Sequence, residues 1–163
     1  LSDQTYIGAY VPHNLVLMSD IHRLKYAMYL NNDAYEALKK MIDAMPNEIA
    51  NDFYVKEAYT SFTDLQYSNP NLAGKDERQL GHTVSIASKS IAYHEFETAA
   101  LSQWLEAHSY EYGFILRYPK RMASSTNHVY DAHYYRYVGK KNANKIYKEN
   151  SCIEEYNQKE AAE

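Results

Sequence analysis

Residues 113–119 read GFILRYP, and this short stretch decides the fold because it joins the end of a helix to the start of a strand. Residues 95–112 precede it and carry apolar side chains at helical spacing, which predicts one long amphipathic helix. Gly113 stands where the glycine that ends a helix belongs, and residues 114–117 are predicted to form a strand. One face of the helix is predicted to consist of Phe96, Ala100, Trp104 and His108, with Leu101 and Leu105 beside it.

The rest of the chain is a mixture of helices and strands. Residues 33–45 have a helical period that ends at Pro46, and residues 140–150 are predicted to form a terminal helix with Tyr147 facing inward. The other predicted elements are strands at 53–59, 82–86 and 133–138, a loop at 67–75, an extended lead-in at 1–18 and a frayed tail at 158–163. Because helices and strands do not alternate strictly, the pattern favours a single α+β domain over residues 1–163 rather than a doubly wound sheet.

The bulk composition excludes several classes of protein. With 17 Lys and Arg against 21 Asp and Glu, the net charge of -4 gives no electrostatic footprint for nucleic acid. The single cysteine, Cys152, can form neither an internal disulfide nor a thiolate metal cluster, and it is predicted to pack the terminal helix. The sequence has no apolar run long enough to predict a membrane span. The 18 tyrosines suit a binding surface, although compositional drift also explains them.

Six strings along the chain together resemble one family of cell-wall enzymes. They are VPHNLV at 11–16, AYTSFTDLQ at 58–66, WL at 104–105, GFILRYP at 113–119, RYVG at 136–139 and EEY at 154–156. In order and spacing they resemble the strings of VanY-type D-alanyl-D-alanine carboxypeptidases. The resemblance implies the LAS or VanY-like peptidase fold, in which helices flank a small, mainly antiparallel sheet. It also implies zinc-assisted removal of the terminal D-Ala from the peptidoglycan stem peptide.

The positions that bind zinc and catalyse the reaction in this family carry different residues here. In the family's SxHxxGxAxD motif, Arg78 stands in the place of the zinc-binding His and Ser85 in that of the zinc-binding Asp. In the ExxH motif, Asp131 replaces the general-base Glu and Tyr134 replaces the last zinc-binding His. Thr60 stands where the family has an Arg that is expected to stabilise the scissile carbonyl.

These substitutions predict that the chain holds no metal and has lost the family reaction. Arginine offers a metal no lone pair, and neutral hydroxyl groups are poor zinc ligands. No zinc or other cofactor is therefore expected. The chain is predicted to be an inactive homologue that acts as a binding or scaffolding domain, with a peptidoglycan stem peptide or an envelope protein as its partner. The candidate ligand-binding residues are Thr60, Gln66, Gln79 and Tyr134.

The sequence leaves the arrangement of the former metal site open. Arg78 is the new cation and Asp131 the retained anion, so an ion pair between them could replace the metal as a cross-link. Alternatively, Arg78 is simply solvated. A metal site rebuilt from His82, Asp131 and His133 would instead make the chain an active zinc D-alanyl-D-alanine carboxypeptidase. This is disfavoured because residues one apart on a strand face opposite sides.

Location and wider role follow from the resemblance alone. The substrate of such relatives lies outside the cytoplasmic membrane, so we expect an extracytoplasmic domain at the envelope of a Gram-positive-type bacterium, within a larger anchored or secreted protein. A third reading, from another class, is a purely structural domain that serves as a folded spacer in a longer envelope protein.

Overall fold

The computed structural model describes residues 5–162, which form a four-stranded sheet, a two-stranded sheet and the helices packed on them. The strands are Leu15–Leu17 (β1), Tyr29–Asn31 (β2), Phe53–Glu57 (β3), Thr83–Ser88 (β4), Phe114–Tyr118 (β5) and Asp131–Tyr137 (β6). The α-helices are Asn32–Asp43 (α1), Asn47–Asp52 (α2), Phe62–Ser68 (α3), Ala100–His108 (α4), Ala123–Thr126 (α5), Lys140–Lys148 (α6) and Ile153–Glu160 (α7). Short 3-10 helices lie at Pro70–Leu72, Glu77–Leu80, Tyr93–Thr98 and Ser109–Tyr112.

The main sheet has the strand order β3-β4-β6-β5, and every neighbouring pair in it runs antiparallel. Strands β1 and β2 form a separate antiparallel pair. This topology confirms the predicted α+β class with a small, mainly antiparallel sheet. The register places Ser85 of β4 directly opposite Tyr134 of β6, so two of the positions that the family resemblance assigns to zinc ligands lie side by side.

The larger core lies on the face of the sheet that α1 and α4 cover. Leu38 and Met41 of α1 are fully buried there, together with Leu105 of α4 and Tyr135 of β6. Burying an apolar side chain of this size contributes roughly 1.5–3 kcal/mol. Asn31 precedes helix α1, and its side chain accepts a hydrogen bond from the backbone N–H of Asp33 and so caps the helix.

A smaller core packs α6 and α7 onto the opposite face of β5. Its buried members are Ile115, Ala143, Ile146 and Tyr156. Because side chains alternate along a strand, Ile115 faces away from the larger core that holds its neighbour Phe114. Cys152 is buried at the start of α7, as predicted, and burial raises the pKa of its thiol. This cysteine therefore packs the terminal helix rather than acting as a nucleophile.

The prediction of one continuous helix over residues 95–112 is wrong. Residues Tyr93–Thr98 form a 3-10 helix, Ala99 is extended with φ -68° and ψ 142°, and α4 starts only at Ala100. Because this break changes the helical phase, the predicted apolar face through Ala100 and His108 is wrong, and Ala100 is exposed. The side chains that α4 buries are Leu101, Ser102 and Leu105.

The structure also differs from two further predictions, which concern the orientation of Tyr147 and the C-terminal tail. Tyr147, predicted to face inward from α6, is 49% exposed and stacks on Tyr110 with ring centroids 3.7 Å apart. The predicted frayed tail is helical at its start, because α7 continues to Glu160. Gly113 does end its helical segment in the left-handed region, at φ 92°, as predicted. Within the described residues, none of the helices has both the length and the apolar character needed to cross a membrane.

Candidate functional site

A single 3-10 turn carries the first of the former ligand positions. The side chain of Asp76 accepts a hydrogen bond from the backbone N–H of Arg78 at 2.9 Å and so starts the turn. Gly81 ends it in the left-handed region at φ 71°, where glycine is favoured. The carbonyl of Gly81 accepts a hydrogen bond from the N–H of Asn31 at 2.7 Å. The turn is therefore fixed at both ends, and it presents Arg78 toward the sheet.

Four side chains form what we call the site network: Glu57, Asp76, Arg78 and Tyr134. The Arg78 Nη2 lies 2.6 Å from a carboxylate oxygen of Asp76, and its Nε lies 3.0 Å from both of them. Its Nη1 donates to the Glu57 carboxylate. The Tyr134 hydroxyl donates to the same Glu57 oxygen at 2.6 Å. The Glu57 carboxylate at the end of β3 therefore accepts hydrogen bonds from both the Arg78 guanidinium of the turn and the Tyr134 phenol of β6.

The electrostatics of the site network raise the pKa values of Arg78 and Tyr134. Burial of the guanidinium opposes its charge, but the hydrogen bond and the negative charge of Asp76 outweigh this and raise the pKa of Arg78 above its ordinary value. Burial, followed by the hydrogen bond to Glu57, raises the pKa of the Tyr134 phenol. Tyr134 therefore stays a neutral donor, and Arg78 a permanent cation.

Arg78 does not pair with Asp131, which corrects the predicted cross-link, and it is not solvated either, since its side chain is only 17% exposed. Asp131 instead accepts a hydrogen bond from the backbone N–H of His133 at 2.9 Å. Asp131 begins β6, three residues before Tyr134, and a strand advances by about 3.4 Å per residue. Glu57 and Asp76 lie within contact of the guanidinium, so they take the place that the sequence suggested for Asp131.

Ser85, the third former ligand position, is completely buried and faces Tyr93. Burial raises the pKa of the Tyr93 phenol, and the nearby Ser85 hydroxyl lowers it in part. The Tyr93 ring stacks on His133 with centroids 3.6 Å apart, and Lys56 Nζ lies 3.2 Å from its centroid on the ring face. Tyr93 therefore forms part of the site, a role that the sequence did not indicate.

The histidines proposed for a rebuilt metal site do not converge. The ring of His133 packs on Tyr93 and Phe96, and its two nitrogens lie 2.7 Å from the Ile86 carbonyl and 2.9 Å from the Tyr93 carbonyl. The pKa of His82 is lowered by burial and by the charge of Arg136. Within residues 5–162, no three His, Cys, Asp or Glu side chains are grouped so that they could hold a metal ion.

The candidate ligand-binding residues occupy different environments. Gln79 is fully buried, and its amide accepts from Gly74 N–H at 2.7 Å and donates to the Gly8 carbonyl at 3.1 Å, so both ends of the side chain are committed. Gln66 is exposed on α3. Thr60 is half-buried and donates to the Ala58 carbonyl at 3.3 Å. Of the four candidates, Tyr134 is the one within the site network.

A second set of charged side chains, which we call the buried ion cluster, lies beside the site network. Its members are Glu77, Arg117, Arg136 and Glu154. Arg117 is 2% exposed; its Nε lies 2.7 Å from Glu77, and it forms two hydrogen bonds with Glu154 at 2.6 and 3.2 Å. Burial would raise the pKa of Glu77, but the charges of Arg136 and Arg117 lower it to about 2. The cluster ties the turn to β5, β6 and α7.

The donor chemistry of the site network does not fit a zinc ion. A guanidinium occupies one ligand position, a neutral phenol another and a serine hydroxyl the third, and none of these groups is a good zinc ligand. The two carboxylates of the network, on Glu57 and Asp76, are both paired with the single Arg78 cation. Among the residues that the structure describes, Glu57, Asp76, Arg78 and Tyr134 hydrogen-bond to one another, and no three His, Cys, Asp or Glu side chains converge there as a ligand set.

Comparison with known proteins connects this site to one family. The family model described as VanY, D-alanyl-D-alanine carboxypeptidase, matches residues 54–140, from β3 to the start of α6. A D-alanyl-D-alanine carboxypeptidase of Enterococcus faecalis is 34% identical over 124 residues, which cover 75% of this chain and 44% of that protein. YodJ of Bacillus subtilis, named as a carboxypeptidase, is 29% identical over 173 residues, which cover 93% of this chain and 63% of that protein. This chain thus spans less than two thirds of these curated relatives.

Solved structures share the fold over most of their length. The LdcB LD-carboxypeptidase is 28% identical with a TM-score of 0.81, over 91% of this chain and 79% of that one. VanYB in complex with D-alanine-D-alanine is 24% identical with a TM-score of 0.76, over 97% and 95% of the two chains, a likeness that shows the fold. Since the family match covers more than half of the residues, the chain belongs to the VanY family of D-alanyl-D-alanine carboxypeptidases.

Proposed function

We propose that this chain is a catalytically inactive VanY-family domain that binds peptidoglycan stem peptides at the cell envelope without a metal. The observation that carries the proposal is Arg78, which stands at a former ligand position and is held between Asp76 and Glu57. A guanidinium in the volume of a dication excludes the metal by charge and by geometry. The hydrolytic water of a zinc peptidase needs that metal to lower its pKa, so the family reaction has no route here.

The remaining polar surface of the site supports peptide binding. Near the site network, the Lys56 ammonium lies on the face of the Tyr93 ring, which is 39% exposed, so that a cation and an aromatic face stand together. Thr60, three residues beyond Glu57, is half-buried. Peptide amides and a terminal carboxylate are groups that such side chains recognise. VanYB was solved with D-alanine-D-alanine, a ligand with these groups.

The proposed setting follows the relatives. Names of the similar proteins describe carboxypeptidase activity on D-alanyl-D-alanine and, for LdcB, peptidoglycan recognition. A domain that keeps this recognition acts outside the cytoplasmic membrane, as part of a longer envelope protein. There it keeps the protein bound to the cell wall and does not cleave the stem peptides.

The decisive experiment measures zinc binding and D-alanine release on the same protein. Zinc is titrated calorimetrically into the chelator-stripped chain, and D-alanine release is assayed with a pentapeptide ending in D-Ala-D-Ala. The Enterococcus faecalis relative serves as the positive control. We expect no stoichiometric zinc binding at micromolar concentration and no D-alanine release above the buffer rate. Tight zinc binding with release would overturn the proposal in favour of an active zinc D-alanyl-D-alanine carboxypeptidase with a rearranged metal site.

Peptide binding is tested separately by NMR titration of the same pentapeptide into labelled protein. We expect shifts near Thr60 and Tyr93, and weaker binding in Tyr134→Phe. Tyr67→Phe is the matched control, since Tyr67 is 88% exposed on α3. A chain that binds neither zinc nor the pentapeptide is a folded spacer or a docking surface for an envelope protein, and the stem-peptide proposal then fails.

A further inference from the structure

A cavity of about 360 Å³ lies where the end of β6 meets α6 and α7, outside the site network. Its volume is in the range of small-molecule binding pockets, which measure roughly 300–1,000 Å³. The described residues that line it include no Asp, Glu or Lys. Among them are His82, Arg136, Val138, Ile146, Ile153 and Asn157. The cavity therefore combines one permanent cation with apolar side chains and an amide.

One strand and two helices place these side chains around the cavity. Arg136 of β6 lies opposite Ile115 of β5, so both side chains point to the face of the sheet that α6 and α7 cover. Ile153 and Asn157 are four residues apart in α7 and so lie on one side of that helix. Ile146 of α6 is buried in the smaller core, and Ile153 packs against that core while staying partly exposed. The cavity is therefore an open end of the smaller core, with Arg136 beside it.

Arg136 is only partly committed to the buried ion cluster. Its Nη1 donates to Glu77 at 3.0 Å, and within residues 5–162 it forms no other hydrogen bond or ion pair. Glu77 also accepts from Arg117 Nε at 2.7 Å, so the two arginines share this carboxylate. A guanidinium carries five N–H donors in a planar fork. Because the Arg136 side chain is 18% exposed and lines the cavity, it has further donors to offer a ligand there.

The other titratable groups around the cavity leave its charge positive. Burial, and then the charge of Arg136, lowers the pKa of His82, so the imidazole is uncharged at neutral pH. Glu77 and Glu154 are held in the buried ion cluster and do not line the cavity. Asp33, whose charge acts on His82, is exposed and also lies outside the lining. The charged group that faces the cavity is therefore a cation, which favours an anionic ligand.

We propose that this cavity binds a small carboxylic acid with an apolar body, in its ionised form. Two N–H groups of Arg136 hold the carboxylate, and the body packs on Val138, Ile146 and Ile153. The Asn157 amide, which is exposed and has no hydrogen-bond partner within residues 5–162, is a further donor at the rim. Inorganic phosphate or sulfate has no apolar part to cover the three aliphatic side chains. The proposal depends neither on the state of the site network nor on peptidoglycan binding.

The test titrates phenylacetate into the isotope-labelled chain and follows the backbone amide shifts by NMR. We expect shifts at Val138, Ile153 and Asn157 that saturate at millimolar ligand. Phenylacetamide, which has the same shape without the charge, should bind about tenfold more weakly, because it loses the charge-assisted hydrogen bonds to Arg136. Acetate, which has the charge without the apolar body, should also bind about tenfold more weakly.

Two further ligands distinguish the sources of such a carboxylate. A free acid and the C-terminal residue of a polypeptide present the same group, so an acetylated tripeptide that ends in phenylalanine is titrated both as the acid and as the amide. If the tripeptide acid binds more tightly than phenylacetate, the cavity takes a polypeptide terminus. If it binds more weakly, the cavity takes a free small acid. In both cases the tripeptide amide should bind more weakly than the tripeptide acid.

A matched pair of variants uses exposed positions of α7, where folding is not at stake. Asn157→Asp puts a negative charge at the rim and should weaken phenylacetate binding by about tenfold. Gln158→Glu adds the same charge at the next residue, which does not line the cavity, and should leave binding unchanged. Arg136→Gln should abolish binding, with thermal unfolding measured to check that this variant is folded.

Four results would each overturn the proposal. Equal binding of phenylacetate and phenylacetamide indicates an apolar crevice that does not use Arg136. Acetate that binds as tightly as phenylacetate indicates pairing with an arginine alone. Equal effects of the two α7 variants would show that the carboxylate lies elsewhere. Shifts confined to Glu57, Thr60 and Tyr93 would place the acid at the site network instead, a result that leaves the proposed function intact.

Discussion

Residues 76–78 send alternate side chains into two different ion networks, and the contrast between them is instructive. Asp76 and Arg78 enter the site network, where side-chain exposures run from 11% to 35%. Glu77, between them, enters the buried ion cluster, where the side chains of Glu77 and Arg117 are 6% and 1% exposed, and those of Arg136 and Glu154 are 18% and 21% exposed. Both networks match arginine to carboxylates. One has water within reach and lies where the family resemblance places the zinc ligands, and the other holds α7 on the sheet.

The difference indicates which charged side chains are essential to the stability of the fold. A charge left alone in the interior has no water to compensate it, so a buried pair is costly to break. A partly hydrated pair loses less, because water takes the place of the missing partner. The buried ion cluster should therefore behave as a component of stability, and the site network as a replaceable local cross-link. The predictions below test this contrast, from the largest expected effect to the smallest.

The largest effect is expected from restoring the three ligand types. Arg78→His, Ser85→Asp and Tyr134→His together should give zinc binding at micromolar affinity or better, about 8 kcal/mol of binding free energy. The reason is that Ser85 and Tyr134 are cross-strand neighbours, and Glu57 links Tyr134 to Arg78. Calorimetry measures the affinity, with Arg78→His alone as the control. If the triple variant folds but does not bind zinc, the backbone at these three positions does not have the geometry that zinc ligands require.

Breaking the buried ion cluster should be the largest effect on stability. Arg117→Met removes one of the two arginine partners of Glu77 and the arginine partner of Glu154, and it should lower the free energy of unfolding by about 3–5 kcal/mol, as measured by urea denaturation. Lys120→Met, which breaks an exposed pair with Glu97, is the matched control and should cost less than about 1 kcal/mol. Equal losses in the two variants would contradict the contrast.

Lowering the pH should test the contribution of the buried ion cluster to the free energy of unfolding without any mutation. The pKa of Glu77 falls from 4.5 to about 2 on folding, so its contribution is fully present above pH 4.5 and is lost as the pH falls through 2. This amounts to about 3 kcal/mol, measured as the urea unfolding free energy at several pH values. Glu77→Gln should flatten the profile in this window. An unchanged slope in that variant would assign the acid sensitivity to other carboxylates.

The smallest effect is expected in the site network. Arg78→Met leaves Glu57 and Asp76 facing each other, but water can reach Glu57, whose side chain is 35% exposed. We expect a loss of about 1–2 kcal/mol in the free energy of unfolding, clearly below that of Arg117→Met. A thermal and urea series on the two variants measures the difference. If Arg78→Met proves as damaging as Arg117→Met, the site network is as integral to the fold as the buried cluster.

Local patterns were sufficient for the elements that depend on neighbouring residues. The helical period before Pro46, Gly113 as a helix end, and the strands that became β5 and β6 were all predicted from short windows. The break at Ala99 was not, because residues 95–112 continue a helical period across it and the packing of Phe96 under His133 decides otherwise. Tertiary contact overrode the local pattern there.

The candidate site was predictable in its positions and not in its partners. Motif spacing located Arg78, Ser85 and Tyr134, and pairing of β4 with β6 brings the last two together. Glu57 could not be chosen from sequence, because it lies 21 residues from Arg78 and its reach depends on how β3 meets β4. The Arg117–Glu154 pair, 37 residues apart, was hidden for the same reason. Charge complementarity alone pointed to Asp131, whose carboxylate instead accepts a hydrogen bond from the backbone of His133.

The pairing of Arg78 with Asp76 and Glu57 also has a consequence for how the domain folds. A zinc peptidase completes its site only after capturing an ion, so its assembly depends on the supply of that ion in its surroundings. Here the cation is delivered by the ribosome as part of the chain. The pairing of Arg78 with Glu57 joins two parts of the same chain, so forming it requires no ion from solution and does not depend on the concentration of any metal.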